Sequence, residues 1–582
     1  MKLSHQISLG RAPRGLVSLL AAVLIAGAGV LAQVGRGWSD WPTPYADAQR
    51  TSWLRTDQNI SVESISKPGF QLQWTAKLGD GGGPTRLTQG VTASGVTLFV
   101  PASLVAGNAN TLHMLDNDTG HIIWSRAFDA ALPPATGACS GGFAAAPTRI
   151  VSGVAEPASG VALPPAGRGN QQGYRSLLGE PGEGIPVEPR PAAGRGGAPG
   201  AAPGGAPRPG GPPGSGQGDG IPGAPNVVGG RLGRAMVAYA VAGDGQLHVV
   251  GLQSGKDLQK PAPFLPANSR WSNPIAVGIR MYAATAGSCA GAPNAVYAID
   301  LDAPDKPVVS YATNGGSVVG SVAFSSDGGT LLAAIGPGAV KGDGKANAIV
   351  ALDPTTLRLK DWFTHPTAEF VTGPTVFRQG ARDVVAAATK DGRVILLDAA
   401  SLGGANHATP LLMSQPVFAG EGSIAAEALA TWARPAAVTA TRAGSEARSL
   451  LVPVAGRPSS GRATNGAIRN GAVVALRVAE TNGKLTLETE WTSGDLIAPA
   501  TPIIVNGVVF ALSTGQPAKA GRTTSPAVLY AYDGVTGKAL WNSGTSMSAA
   551  ASPGSYWSAL SQVYVGTEDG SVHTFGFLDE RR

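Results

Sequence analysis

Apolar residues in this chain come in short alternating runs rather than in helical periods. The clearest case is written twice, far apart: Asp116-Asn-Asp-Thr119-Gly120-His-Ile-Ile-Trp124 and Asp533-Gly-Val-Thr536-Gly537-Lys-Ala-Leu-Trp541 share the frame D-x-x-T-G-x-x-x-W. Each follows an apolar run, Leu112–Leu115 or Leu529–Tyr532. The pattern predicts a strand ending in a polar turn, a glycine supplying positive φ, and a second strand closed by an indole. Looser copies lie between: Val296–Asp300, Ile349–Asp353 with Trp362 behind it, Val394–Asp398, Leu247–Val250 before Gly255, and Val473–Leu476 before Trp491. A unit that cannot bury its apolar face alone must stack on its own copies.

Val572–Phe575 near the C-terminus has its turn but no strand after it, whereas Phe70–Trp74 near the N-terminus is a Trp-terminated strand with no partner before it. Ring closure resolves both, because the N-terminal strand completes the last unit and removes the open edge. The units then number eight, start about 40 to 55 residues apart where no insertion intervenes, and can each be filled out to four strands. The expected fold is therefore an all-β, eight-bladed propeller of four-stranded antiparallel blades, closed between the N- and C-termini. Trp74, Trp124, Trp362, Trp491 and Trp541 are its structural repeat tryptophans.

This repeat resembles that of the quinoprotein-type β-propellers, the group that holds pyrroloquinoline quinone (PQQ) dehydrogenases and the outer-membrane assembly propeller BamB. The stretch Asp40-Trp-Pro-Thr-Pro-Tyr-Ala-Asp47-Ala-Gln-Arg50-Thr51-Ser-Trp53 is also similar to the one with which many such chains begin. The resemblance implies either a dehydrogenase or a non-catalytic propeller. The enzymes hold PQQ on the axis beside a Ca²⁺ bound by carboxylate and amide groups, with an Asp base, and many stack it on a vicinal disulfide. No adjacent cysteine pair or haem motif occurs here, and no position maps onto the metal ligands or the base.

Residues 1–32 read as a signal peptide. Lys2, Arg11 and Arg14 precede the apolar stretch 16–28, and Val30-Leu-Ala32 offers a cleavage point. The leading segment 33–67 and the propeller 68–582 follow, so the expected location is periplasmic or secreted, with no transmembrane segment in the mature chain. Removing the signal lowers the formal charge from +6 to about +3, too mild to indicate nucleic acid. Only 14% of residues are charged, while Gly numbers 82 and Pro 45, as suits a turn-rich β protein.

About residues 152–230 form a Gly/Pro/Ala-rich insertion with too little apolar surface to order itself. Cys139 and Cys289 are the only cysteines; they fall in connections of neighbouring units on one face, where a disulfide is one reading and two buried thiols the other. The loops between second and third strands carry Lys341, Lys345, Arg457, Arg462, Arg469, Lys519 and Arg522 against one carboxylate, Asp343. This rim is a candidate site for an anionic partner, or simply a solvated surface. His113, His248 and His573 share one column spread around the ring, which favours packing over a metal site.

The leading expectation is an exported binding or scaffold propeller for a protein, peptide or glycan partner, with no cofactor and no metal. The alternative is a PQQ- and Ca-dependent alcohol or sugar dehydrogenase. A hydrolase with axial carboxylates ranks last, because no paired acids stand in the first strands. Oligomeric state is left open.

Overall fold

A computed structural model describes residues 40–55, 57–79, 87–92, 102–107, 110–128, 145–151, 237–267, 269–285, 292–424, 427–434, 448–459, 465–516 and 525–577. The signal peptide, the insertion at 152–230, Cys139, Cys289, Arg462, Lys519 and Arg522 lie outside the described residues.

The strands form eight sheets. Blade 1 consists of Val91–Thr92, Ala102–Gly107, Thr111–Asp116 and Ile122–Ala127, from the axis outwards. Blade 2 has Val237–Val241, Gln246–Gly251 and Ala262–Pro263, with Thr148 bridging Tyr239 on the inner side. Blade 3 has Ile275–Val277, Arg280–Ala284, Ala295–Asp300 and Val308–Ala312. Blade 4 has Val318–Phe324, Leu331–Ile335, Ala348–Leu352 and Leu359–Thr364, and blade 5 has Thr375–Gln379, Arg382–Ala388, Val394–Asp398 and Leu412–Met413. Blade 6 has Ala430–Ala433, Arg448–Ala455, Gly471–Thr481 and Lys484–Thr492, and blade 7 has Ile503–Val505, Val508–Ser513, Val528–Asp533 and Ala539–Asn542. The eighth joins Ala551–Ala559, Gln562–Thr567 and Ser571–Phe577 to Phe70–Lys77.

The ring closes as the repeat frame demands. Leu72 lies opposite Phe575, Trp74 opposite Thr574 and Lys77 opposite Ser571. One local departure concerns the inner side of blade 2. Thr148 does bridge to that blade, but Ile150–Val151 runs parallel to Ile275–Val277 of blade 3 instead. The inner strand thus leans across to its neighbour.

The repeated glycine and tryptophan form one device, although not within one copy of the repeat. Each indole docks into the polar turn of the next blade. Trp74 Nε1 donates to Asn117 O at 3.0 Å, Trp124 Nε1 to Leu252 O at 2.9 Å, and Trp491 Nε1 to Gly534 O at 3.1 Å. The ring face rests on the turn glycine, at Gly120, Gly255 and Gly537 respectively. A Cβ at Gly537 would lie 2.5 Å from the Trp491 ring, and its φ of 71° already disfavours any side chain.

Two blades improvise. Trp541 has no such turn to enter, because blade 8 is completed by the N-terminal strand; it packs edge-on against Phe70 and Phe575. Trp362 stacks on His407 at 3.7 Å, the imidazole replacing the bare glycine.

Two predictions follow from this packing. Trp491→Ala empties a site that is 1% exposed, and Gly537→Ala drives a methyl into the same ring. The tryptophan change is expected to cost about 3–5 kcal/mol in chemical denaturation, with the glycine change moving in the same direction.

The second concerns Asp569, which accepts from Lys77 at 3.1 Å across the closing seam. Burial pushes its pKa up, but hydrogen bonds from Thr567, Lys77 and Ser571 outweigh that and hold it at about 2. Its stabilising contribution is therefore present above the ordinary carboxylate pKa and lost as pH falls through about 2. Asp569→Asn should lower the thermal midpoint at pH 6 and narrow its difference from the wild type between pH 4 and pH 2.

Candidate functional site

The segment following residue 40 fills the axis of the ring. Trp41 O accepts from Thr92 N of blade 1, and Pro42 O from Arg149 N beside blade 2. Ala48 O, Gln49 O, Thr51 O and Ser52 O then accept in turn from Phe324 N, Val376 N, Thr431 N and Ile504 N, the inner strands of blades 4, 5, 6 and 7. Trp53–Leu54 continues as a parallel strand beside Ile503–Val505. Finally Asp57 accepts from Ser561 N, in the first turn of blade 8, at 2.9 Å.

Positive φ at Tyr45, Ala46, Arg50 and Ser52 lets the chain turn back on itself and aim successive carbonyls outwards. Tyr45 meets Gln89 and Glu427, which precede the inner strands of blades 1 and 6, so the tip lies at the end where inner strands begin, the upper mouth, while Asp57 meets the first turn of blade 8 at the lower face.

Arg50 is the hub of this segment and is fully buried. Its Nε donates to Val322 O at 2.9 Å, Nη1 to Pro44 O at 2.6 Å and Thr43 Oγ1 at 3.2 Å, and Nη2 to Asn273 O at 3.3 Å. Desolvation lowers its pKa to about 10, so it remains charged at neutral pH. A second buried cation, Arg149, pairs with Asp40 at 2.8 Å.

At the upper mouth, Gln89 Oε1 accepts from Tyr45 N at 2.7 Å and Trp41 Nε1 at 3.1 Å, while Gln89 Nε2 donates to Tyr556 O at 2.7 Å. Tyr45 OH donates to Glu427 Oε2 at 2.8 Å, and Asn273 Nδ2 donates to the same oxygen at 3.2 Å. Burial, then the Glu427 charge, raise the Tyr45 pKa well above the ordinary phenol value, so it stays a neutral donor. Glu427 itself is exposed.

These donors bear on the cofactors that the family resemblance implies. Ca²⁺ takes about six to eight oxygen ligands. Here Asn273 Oδ1 is already occupied by Ala146 N at 3.0 Å, which fixes the amide so that its N–H, not its oxygen, faces the carboxylate. Tyr45 likewise presents a proton, and no group of three or more His, Cys, Asp or Glu able to hold a metal occurs among the described residues. The buried Arg50 and Arg149 are spent on the axial segment rather than offered to an anionic quinone. The described residues of the mouth do not fit PQQ and Ca²⁺.

The predicted rim lies on the same face, since loops between second and third strands share an end with the connections between blades. Lys341, Arg457 and Arg469 are exposed there. Lys345 is committed locally, with Nζ donating to Asp343 O at 2.6 Å and lying 4.6 Å from the Trp362 ring centroid. Arg469 is held through its backbone N–H on Asp495 Oδ1 at 2.9 Å. Lys341 and Lys345 belong to blade 4, Arg457 and Arg469 to blade 6, with blade 5 between them, so they border the mouth rather than converge.

The three histidines do not converge: their hydrogen bonds lie within their own blades, and His248 also packs edge-on against Phe128 at the end of blade 1. His113 bonds Ser125, His248 bonds Asp257, and His573 bonds Thr75. Burial lowers the His113 and His573 pKa values.

Tyr45, Gln89, Asn273 and Glu427 escaped the sequence reading. Their common signal is position alone: three precede an inner strand, and Tyr45 sits inside the segment that resembles a quinoprotein start.

Among solved structures, the quinohemoprotein alcohol dehydrogenase from Comamonas testosteroni superposes with a TM-score of 0.50 at 13% identity, covering 94% of this chain and 82% of that one. A europium-containing methanol dehydrogenase gives 0.50 at 10% identity, covering 93% and 98%. The fold is that of the quinoprotein propellers. BamB from Moraxella catarrhalis matches over 59% of this chain and 82% of its own, with a TM-score of 0.34 at 15% identity. No family model matches the sequence, and no curated protein sequence does. At these identities the quinoprotein-type likeness is one of architecture.

Replacing Arg50 tests the axial segment directly. Arg50→Met leaves several buried carbonyls without a donor and should cost at least about 3 kcal/mol in denaturant unfolding. A loss under 1 kcal/mol would show that the segment is not held through this side chain.

Proposed function

We propose that the protein is an exported, non-catalytic propeller that binds a protein, peptide or glycan partner on its upper face. The observation that carries this is the donor set of the mouth, where the exposed Glu427 carboxylate is faced, among the described residues, by N–H and O–H groups instead of further oxygen ligands. Hydride abstraction would need a metal to polarise the quinone and a base to take the substrate proton, and the described residues of the mouth offer Glu427 alone. A rigid disc with variable loops is instead suited to recognition, since loops on a fixed scaffold can change without disturbing the core. Lys341 of blade 4 and Arg457 and Arg469 of blade 6, exposed on that face, would supply the contacts for an acidic partner or a sugar acid.

The test is reconstitution of the mature chain with PQQ and Ca²⁺, followed by dye reduction with alcohols and sugars. No turnover above a buffer control is expected. Robust turnover would establish the quinoprotein dehydrogenase reading in its place.

A further inference from the structure

The fourth strands of the blades form the outer wall of the ring, and each has one backbone edge facing away from its sheet. Most of these edges carry charge: Arg126 in blade 1, Lys360 and Asp361 in blade 4, Lys484, Glu488 and Glu490 in blade 6, and Lys77 in blade 8. Charges of this kind discourage pairing with another strand. In blades 2 and 5 the outer strand is only two residues long, which has the same effect.

The outer strand of blade 7, Ala539–Asn542, is uncharged too, but its Leu540 and Trp541 pack in one core with Val62 and Ile65 of the short helix Val62–Ile65. Blade 3 differs from all of these. Its outer strand, Val308-Val-Ser-Tyr-Ala312, is uncharged, and all of it except Tyr311 is exposed. Val308 and Val309 are 40% and 36% exposed, and Ile279 on the same blade is 41% exposed, so three of the large exposed apolar side chains cluster here. Tyr311 packs partly against the core shared with blade 4.

The register settles which backbone groups are free. Asp300 N donates to Pro307 O and Thr313 N to Asn294 O, so alternate residues from 307 to 313 bond inwards to residues 294–300. The N–H and C=O groups of Val308, Ser310 and Ala312 therefore point out of the sheet, and none of them bonds to another described residue.

We propose that this edge pairs with the same edge of a second copy of the chain. A two-fold axis at Ser310 sets Ser310 opposite its own mate and Val308 opposite Ala312, which satisfies all the outward groups in antiparallel narrow pairs. It also sets Val309 opposite Tyr311 twice, a favourable β-branched–aromatic pair. Beyond the strand, Lys306 falls opposite Asn314, so no like charges meet. The two outer walls join into one continuous sheet. Five residues a side make a small interface, which places the complex among weak, reversible dimers.

The pairing can be read by sedimentation equilibrium on the mature full-length chain up to about 1 mM, where even weak association registers. A concentration-dependent monomer–dimer equilibrium is expected. Ser310→Lys and Ser310→Glu each place two like charges across the axis and should weaken dimerisation at least tenfold, while an equimolar mixture of the two variants restores it. Ser310 is exposed, so circular dichroism and the thermal midpoint should stay unchanged. A wild-type chain that remains monomeric throughout, a Ser310→Lys dimer as tight as the wild type, or a mixture that fails to associate would each overturn the proposal.

Discussion

Everything in this ring depends on the hydrogen bonds that its inner strands make to one short segment on the axis. Closing a sheet into a propeller removes the outer ends of the array but leaves a central channel lined by eight strand edges, each with unpaired N–H groups. Here the carbonyls of Trp41, Pro42, Ala48, Gln49, Thr51 and Ser52 receive those groups blade by blade. The guanidinium of Arg50 gathers carbonyls of the segment and of blades 3 and 4 that would otherwise be buried without donors. The same stretch of chain runs on into Phe70–Lys77, which completes blade 8. Filling of the axis and closure of the ring are thus both delivered by one stretch, residues 40–77.

Around that axis, the blades are joined by a contact that repeats without demanding identical sequence. An indole reaches the next turn, donates to a carbonyl and lies on a glycine that has no Cβ to obstruct it. Where the geometry is interrupted, at the seam between blades 7 and 8, aromatic rings from both termini take over. The loops of the upper face add contacts of their own: Gln89 and Glu427 hold the Tyr45 tip, and Asn465 in the blade 6 loop bonds Gly537 and Ala539 of blade 7. They also carry the exposed Lys341, Arg457 and Arg469 of blades 4 and 6, beside a mouth where Glu427 faces Tyr45.

How much of this was legible in the chain divides by distance. The strand count, the eight units, the polar turns with positive-φ glycine and the pairing of Trp74 with the C-terminal strand all follow from local alternation and from a repeat whose frame is preserved. Local pattern is enough there, because each unit obeys the same hydrogen-bonding rule as its neighbours. The indole–glycine contact was half visible: both residues stood out, but the repeat shows them four residues apart in one unit, whereas they meet between units.

Only the tertiary structure revealed the axial segment and the mouth. Asp40–Asp57 has no strand alternation, and its role depends on backbone carbonyls, which every residue possesses and no sequence pattern advertises. Glu427, Asn273 and Gln89 come from blades 6, 3 and 1, and nothing local links them; the ring brings them to Tyr45 because three inner strands begin at the same height. The outer edge of blade 3 likewise reads as an ordinary short apolar run until the register shows which of its groups face outwards. Side-chain periodicity therefore determined the architecture, while backbone hydrogen bonding between distant segments decided what fills the centre and what remains exposed.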